Sequence, residues 1–475
     1  MGRVEMRMQP LPIVLIIGWM AAACSTAESY DVVIANGRVI DPESGFFDVA
    51  HVGVRDGVIA TISGDVLAGN RVIDATGHVV APGFVDLHEH GQNEESYRLM
   101  VRDGVTTALE LEVGTRDVEG WYAERHGGQL VNYGVSIGHV QVRMAVMDDP
   151  GTGLVPAGIA GFGSVTAEQL EEIERNVRAG LDQGAVAVGF GSAYTPGAEM
   201  SEIQRLFGVA AEYGASSHIH MRGGLAGLDS TLTAARLEGA PLHIVHVNSS
   251  SGAAIGEFLS TIETARASGQ DVTTETYPYG AGMTEITSAL FDDWASWDDE
   301  RYAMHQLVST GERLDRASFQ VARDAGGLVI IHGRTEEMTR AAVASPITMI
   351  ASDGGMENGR GHPRTSGSYA KVLGRYVRDE AVLSLEEAVA KMTIMPARRL
   401  ERRTPMLARK GRLQVGMDAD ITVFDPETVL DRSTYVDATV TSSGIPYVLV
   451  NGVVVVDRGE VTTARPGRAV RAIQR

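Results

Sequence analysis

Eight short apolar stretches, separated in many places by helical patterns, constrain this chain more than any other feature. They are VVAPGFVDLH (79–88), VTTALELE (105–112), GVSIGHVQV (134–142), AVAVGFG (185–191), ASSHIH (215–220), LHIVHV (242–247), DVTTETY (271–277) and ITMIASD (347–353). Helical periodicity falls between several of them, for example over 166–183 and 202–213. Buried strands alternating with helices argue an α/β fold, a parallel (β/α)₈ TIM barrel spanning 81–407. A stretch of about 280–327 is longer than an ordinary connection and contains Trp294 and Trp297, so it reads as a lid-like insertion over the barrel mouth. The short run LVIIHG then carries His332 out of that insertion.

Both ends of the chain have a different texture. DVVIANGRVI and VGVRDGVIATI near the start, and ADITVFDP and PYVLVNGVVVV near the end, alternate β-branched residues around Asn-Gly and Asp-Gly turns. Segments 28–80 and 408–468 are therefore expected to build one composite β-sandwich domain. Ahead of them, Arg3 and Arg7 precede the apolar run Leu11 to Met20, followed by Ala21-Ala22-Ala23-Cys24. A basic start, a short apolar core and small residues at a cleavage point read as a signal peptide over 1–23. Cys24 after the small residues reads as a lipobox cysteine. The expectation is an exported protein, periplasmic or membrane-anchored as a lipoprotein, with membrane contact only through that anchor.

The chain has 475 residues, is 44% hydrophobic and carries a formal net charge of -20. That charge excludes nucleic acid and anionic head groups as partners. No pattern fixes an oligomeric state. Cys24 is the single cysteine, and Lys371, Lys391 and Lys410 are the only lysines. Both facts bear on how a metal site can be built here.

Barrel active sites lie at the C-terminal ends of the strands. His88 and His90 end the first stretch, His220 the fifth and Asp353 the eighth, while His246 nears the end of the sixth. Alternate strand residues share a face, so His88 and His90 can address one metal ion. His-rich hydrolytic sites take Zn²⁺, here one or two ions. Two ions need a bridging anion. With no lysine before Lys371 and no cysteine in the barrel, the bridge falls to a carboxylate of ALELEVG. Glu112, nearer the mouth, is the choice, with Glu110 the other option. His218 and His243 read as structural, His139 in the third stretch as able to reach the mouth or equally as helix or strand packing, and His51 and His305 as without context.

These motifs resemble the amidohydrolase superfamily and, within it, the D-aminoacylases (N-acyl-D-amino-acid deacylases). PGFVDLHEH, GFGSAYTPG, HIHMRGG, LHIVHVN, TYPYGAGMT, SDGG followed by HPRTSGSYAKVLGRYVR, and GRLQVGMDADITVFDP carry the likeness, over about Tyr30 to Arg468. The resemblance implies that His88, His90, His220 and His246 bind metal and that Asp353 is the general base. It implies that Tyr277, Arg364 and His332 hold substrate, the first two near its carboxylate. Two positions depart from the pattern. Glu-Leu-Glu-Val-Gly replaces the usual Gly-Asn-Cys-Gly run, and Asn248 replaces a lysine two residues after the strand-six histidine.

The implied reaction is metal-dependent hydrolysis of a small N-acyl-D-amino acid. The ELEVG run resembles the D-glutamate deacylases. A side-chain carboxylate would need a second cation, for which Arg222, Arg334 and Arg301 are candidates; Arg222 could equally be a structural partner for a strand-two glutamate. A dipeptidase or cyclic-amide hydrolase on the same metal site is the second reading, and a non-catalytic binding lipoprotein the third.

Overall fold

A computed structural model describes residues 1–3 and 29–474. Residues 4–23 of the expected signal segment, and Cys24, lie outside the described residues. Eight parallel strands form one sheet in the order Thr348–Ile350, Val272–Thr276, Leu242–Ile244, Ser216–His220, Ala187–Gly191, Asn132–Gly138, Val105–Thr115 and Phe84–Asp86. Read in chain order, these are the first to eighth barrel strands. Seven of them are shorter than the apolar stretches that announced them, and the second runs on past Glu112 to Thr115. Closure between the first and eighth comes just above the strands. His90 N–H donates to Gly354 O at 2.8 Å, and one Asp86 oxygen accepts from the N–H groups of His88 (3.0 Å) and Ser352 (3.1 Å).

The third stretch differs from its reading. The strand ends at Gly138, and His139–Val146 is a helix. A Cβ at Gly138 would sit 2.1 Å from Val113 O, so only glycine allows the turn there. HVQVRM alternates, but Val140 and Met144 stand four residues apart and share one buried cluster on a helical face.

Strands from both ends of the chain join in a single nine-stranded sheet. Its seam is the antiparallel pair Val79–Pro82 and Ile421–Phe424, with Val80 opposite Val423. Val39, Val52, Val80, Ile421 and Leu449 pack in one core, so each terminal piece supplies apolar surface that the other covers.

The insertion has its own sheet and core. Ala281–Glu285 and His305–Leu307 both pair antiparallel with Leu328–His332. Helices Asp299–Ala303 and Arg316–Ala325 fold against it. Phe291, Trp297, Tyr302 and Phe319 are buried together. Among the described residues, no helix is long and apolar enough to cross a membrane.

Candidate metal centre

The second barrel strand carries its two glutamates into the mouth through a break in pairing. Its register against the third strand shifts between Glu110 and Thr115. Val113 N–H donates to Glu110 Oε1 at 2.9 Å, and Gly114 adopts a φ of 63°. The two carboxylates thereby reach different partners. Glu110 Oε2 accepts from His90 Nδ1 at 2.7 Å. Glu112 Oε2 lies 2.6 Å from His88 Nε2 and 3.6 Å from His246 Nε2, while Oε1 lies 3.0 Å from His220 Nδ1.

Two donor groups converge here. His88, His90, Glu112 and Asp353 form one, and Glu112, His220 and His246 the other. Glu112 belongs to both. His88 Nε2 and His90 Nε2 are 3.1 Å apart, His90 Nε2 and Asp353 Oδ1 3.1 Å, and His220 Nδ1 and His246 Nε2 3.0 Å. Tetrahedral ligands at zinc–nitrogen distance stand about 3.3 Å from one another. The donor set therefore fits divalent ions of that size, with Glu112 shared by both groups.

Burial would raise the Glu112 and Asp353 carboxyls, but their neighbours overturn it. His88 and His220 hold Glu112 well below the usual range. Arg364 and then His88 do the same for Asp353. Burial, with the nearby His220, pushes the His246 imidazole down toward the neutral form that binds metal.

The residues expected to hold substrate divide. A cavity of about 1050 Å³ opens over the cluster, lined in part by Tyr277, Arg334, Arg364, Asp353 and Tyr194. Arg334 donates to the Tyr277 hydroxyl at 2.7 Å and reaches Ser249 Oγ at 3.4 Å. Arg364 lines the cavity but is ion-paired with Asp353 Oδ2 at 2.7 Å, its guanidinium 4.7 Å from the Tyr277 ring centre. Arg301 is at the rim, paired with Asp293 and stacked on Trp297.

Arg222 and His332 do not line the cavity, which corrects the sequence reading. The Arg222 guanidinium donates to the carbonyls of Ser192, Thr195 and Ala198, tying down the loop after the fourth strand. Those three acceptors occupy the fork that a ligand carboxylate would need, and no strand-two glutamate is its partner. His332 Nε2 turns to Gln306 Oε1 at 2.9 Å, and its ring packs on Tyr435. Burial, with the charges of Arg313 and Arg334, pushes its pKa down to about 4, so it is uncharged at neutral pH.

Three residues of the site had no role assigned from the sequence. Tyr194 packs its ring edge-on to His220 and hydrogen-bonds Thr284 of the insertion at 3.1 Å. His305, read as without context, lines the cavity and stacks on Trp297. Glu275 contacts His88 at 2.5 Å from the seventh strand. A signal for it existed, since TTETY puts Thr273, Glu275 and Tyr277 on one face of that strand. Asn248 does not line the cavity and donates to Tyr277 O at 3.0 Å.

The model of the amidohydrolase family matches residues 71–456. An N-acyl-D-glutamate deacylase of Alcaligenes xylosoxydans xylosoxydans is 33% identical, with 94% of this chain and 97% of that protein covered. A D-aminoacylase of the same organism is 30% identical, covering 94% and 98%. Among solved structures, the N-acyl-D-glutamate deacylase from Bordetella bronchiseptica superposes with a TM-score of 0.81. It is 29% identical, with 94% of this chain and 100% of that chain covered, and was solved with zinc and a phosphonate inhibitor that mimics the tetrahedral intermediate.

Proposed function

The chain belongs to the amidohydrolase family, and from that premise we propose that it is a zinc-dependent deacylase of N-acyl-D-amino acids. The observation that carries this reading is the cluster of four imidazoles and two carboxylates, buried apart from the half-buried His90 and His220, at the barrel mouth. His88, His90, Glu112 and Asp353 would hold one ion, and Glu112, His220 and His246 the other. Zinc, when bound, makes water acidic near neutral pH and polarises a carbonyl oxygen.

The chain's own residues supply the rest. Asp353 takes a proton from the attacking water and hands it to the departing nitrogen. Its ion pair with Arg364 keeps it deprotonated and aimed into the cavity. Tyr277 and Arg334, already in contact, offer a hydroxyl and a guanidinium to the substrate α-carboxylate. Hydrolysis releases a D-amino acid and a carboxylic acid. The likeness to N-acyl-D-glutamate deacylases supports an acidic D-amino acid.

A panel of substrates tests this. N-acetyl-D-glutamate should be hydrolysed with kcat/KM at least tenfold above N-acetyl-D-leucine, the L-enantiomers should be inert, and a chelator should abolish turnover. Equal rates for the two D-substrates would sink the glutamate preference. Turnover of dipeptides or hydantoins alone would overturn the deacylase reading. We further propose export and lipidation at Cys24, supported by the basic, apolar and small-residue order of segment 1–24. Mass spectrometry that found an unmodified Cys24 would remove the anchor.

A further inference from the structure

We propose that Glu275, and through it His243, are positioning residues that fix which nitrogen of His88 faces the metal. Glu275 sits on the seventh strand, 1% exposed, in the barrel interior. One of its oxygens is 2.5 Å from His88 Nδ1 and the other 3.1 Å from His243 Nε2. His243 is fully buried, and its Nδ1 lies 2.7 Å from the Thr273 hydroxyl. These contacts form one chain, from Thr273 through His243 and Glu275 to His88.

The consequence follows from tautomer chemistry. A neutral imidazole has one N–H and one lone pair. A carboxylate accepts only, so Glu275 holds the His88 proton at Nδ1. The lone pair is left on Nε2, the atom that lies 2.6 Å from Glu112 and 3.1 Å from His90. The same logic applied to His243 puts its proton on Nε2, toward Glu275, and leaves Nδ1 to accept from Thr273. His243 therefore holds the second oxygen of Glu275, and the carboxylate cannot rotate away from His88. A carboxylate in a barrel core is costly unless paired. Two imidazole donors offset that cost. Carboxylates behind metal-binding histidines raise ligand basicity and fix ring orientation.

This inference rests on the metal-site reading above, and its test reads zinc directly. In the full chain, Glu275→Gln keeps size and an oxygen for His88 but removes the charge. The zinc dissociation constant of the ion at His88 and His90, measured by competition with a chromophoric chelator, should weaken 10–100-fold. The constant of the other ion should stay within about threefold, and the cobalt(II) absorption bands of the weakened site should shift. Glu275→Asp should recover part of the affinity. Should the glutamine variant unfold, His243→Gln, which touches no ligand, should still weaken the same ion about threefold or more. Unchanged constants and spectra in both variants would overturn the proposal. So would a loss of zinc affinity matched by an equal fall in the melting temperature of the metal-free protein. Retained zinc with no turnover on the substrate panel would count against the deacylase reading and leave Glu275 untouched.

Discussion

The two halves of the metal centre use the same imidazole chemistry but hold it in place by different means. His88 and His90 are each backed by a buried carboxylate, Glu275 at 2.5 Å and Glu110 at 2.7 Å. His220 and His246 have neutral support. His246 Nδ1 meets the Ser250 hydroxyl at 3.4 Å, and His220 packs against the Tyr194 ring, centres 4.8 Å apart. Asp353 of the first half has a left-handed backbone with a φ of 52°, but among the four histidines that conformation belongs to the second half alone. His246 has a φ of 32°, a region that few non-glycine residues adopt, and it starts the short helix Val247–Ser251. A barrel can thus fix a ligand by hydrogen bonding its far nitrogen, or by turning its backbone so that the ring has one place to go. Only the first way also raises the negative charge around the ion.

Glu112 is where the two halves meet, so its removal is the strongest way to break the comparison. Glu112→Gln should strip zinc from both halves and lower kcat/KM by about three orders of magnitude, in line with the loss of a bridging charge and a metal ligand. Asp353→Asn reaches only the carboxylate-backed half. Zinc content by elemental analysis should largely persist, while kcat falls by roughly 10²–10⁴ as the proton acceptor is lost. If both variants lost zinc equally, the halves would be one cooperative site, and the contrast drawn between them would be wrong.

The positions of the histidines were legible in the sequence because strand period and strand end are local properties. His88, His90, His220, His246 and Asp353 all fall where eight short apolar runs stop. What supports each of them was not legible. His88 and Glu275 are 187 residues apart, and no local pattern joins them. Their shared strand face does not separate Glu110 from Glu112, and only nearness to the mouth favoured Glu112 in the sequence. The choice depends on the register shift after Glu110, which points one carboxylate at His90 and the other at the cluster centre. Arg222 misled for a related reason. It follows a strand end and so belongs near the mouth, but three carbonyls of a neighbouring loop had already claimed its guanidinium. The barrel itself was readable from repetition. The helix at His139–Val146 was not, since its short run satisfies both periods.

A smaller effect lies beneath the carboxylate-backed half, at the foot of the eighth strand. Lys391 is buried and donates to Ser345 O, to Thr348 O at 2.9 Å and to Thr348 Oγ1 at 3.2 Å. Burial pushes its pKa down from 10.5 to about 8, with Glu387 opposing weakly. Between those two values the unfolded chain binds the proton and the folded chain does not. Stability therefore rises as pH goes from about 8 to 10.5, by up to about 3 kcal/mol from this group. Below pH 8 both states are charged, and the cost of burying the ammonium is fully present. Lys391→Met should flatten this rise in denaturant melts taken across the window. An unchanged slope would mean that the three acceptors stabilise the ammonium as well as water does.

The finest test compares the two supports directly. Glu110→Gln removes the charge behind His90 and leaves an oxygen that can still accept from Nδ1. Ser250→Ala removes the hydroxyl behind His246, a contact already at the long end of hydrogen bonding. Carboxylates behind metal-binding histidines are worth about 10–100-fold in metal affinity. The first variant should therefore weaken zinc at the His88 and His90 ion by that factor. The second should change the other ion by no more than about threefold, because the backbone turn at His246 still aims the ring. Equal losses would show that the hydroxyl, and not the left-handed turn, holds His246 in place. In that case both halves would depend on hydrogen bonds to the far nitrogen, and backbone conformation would have no separate part in building the second.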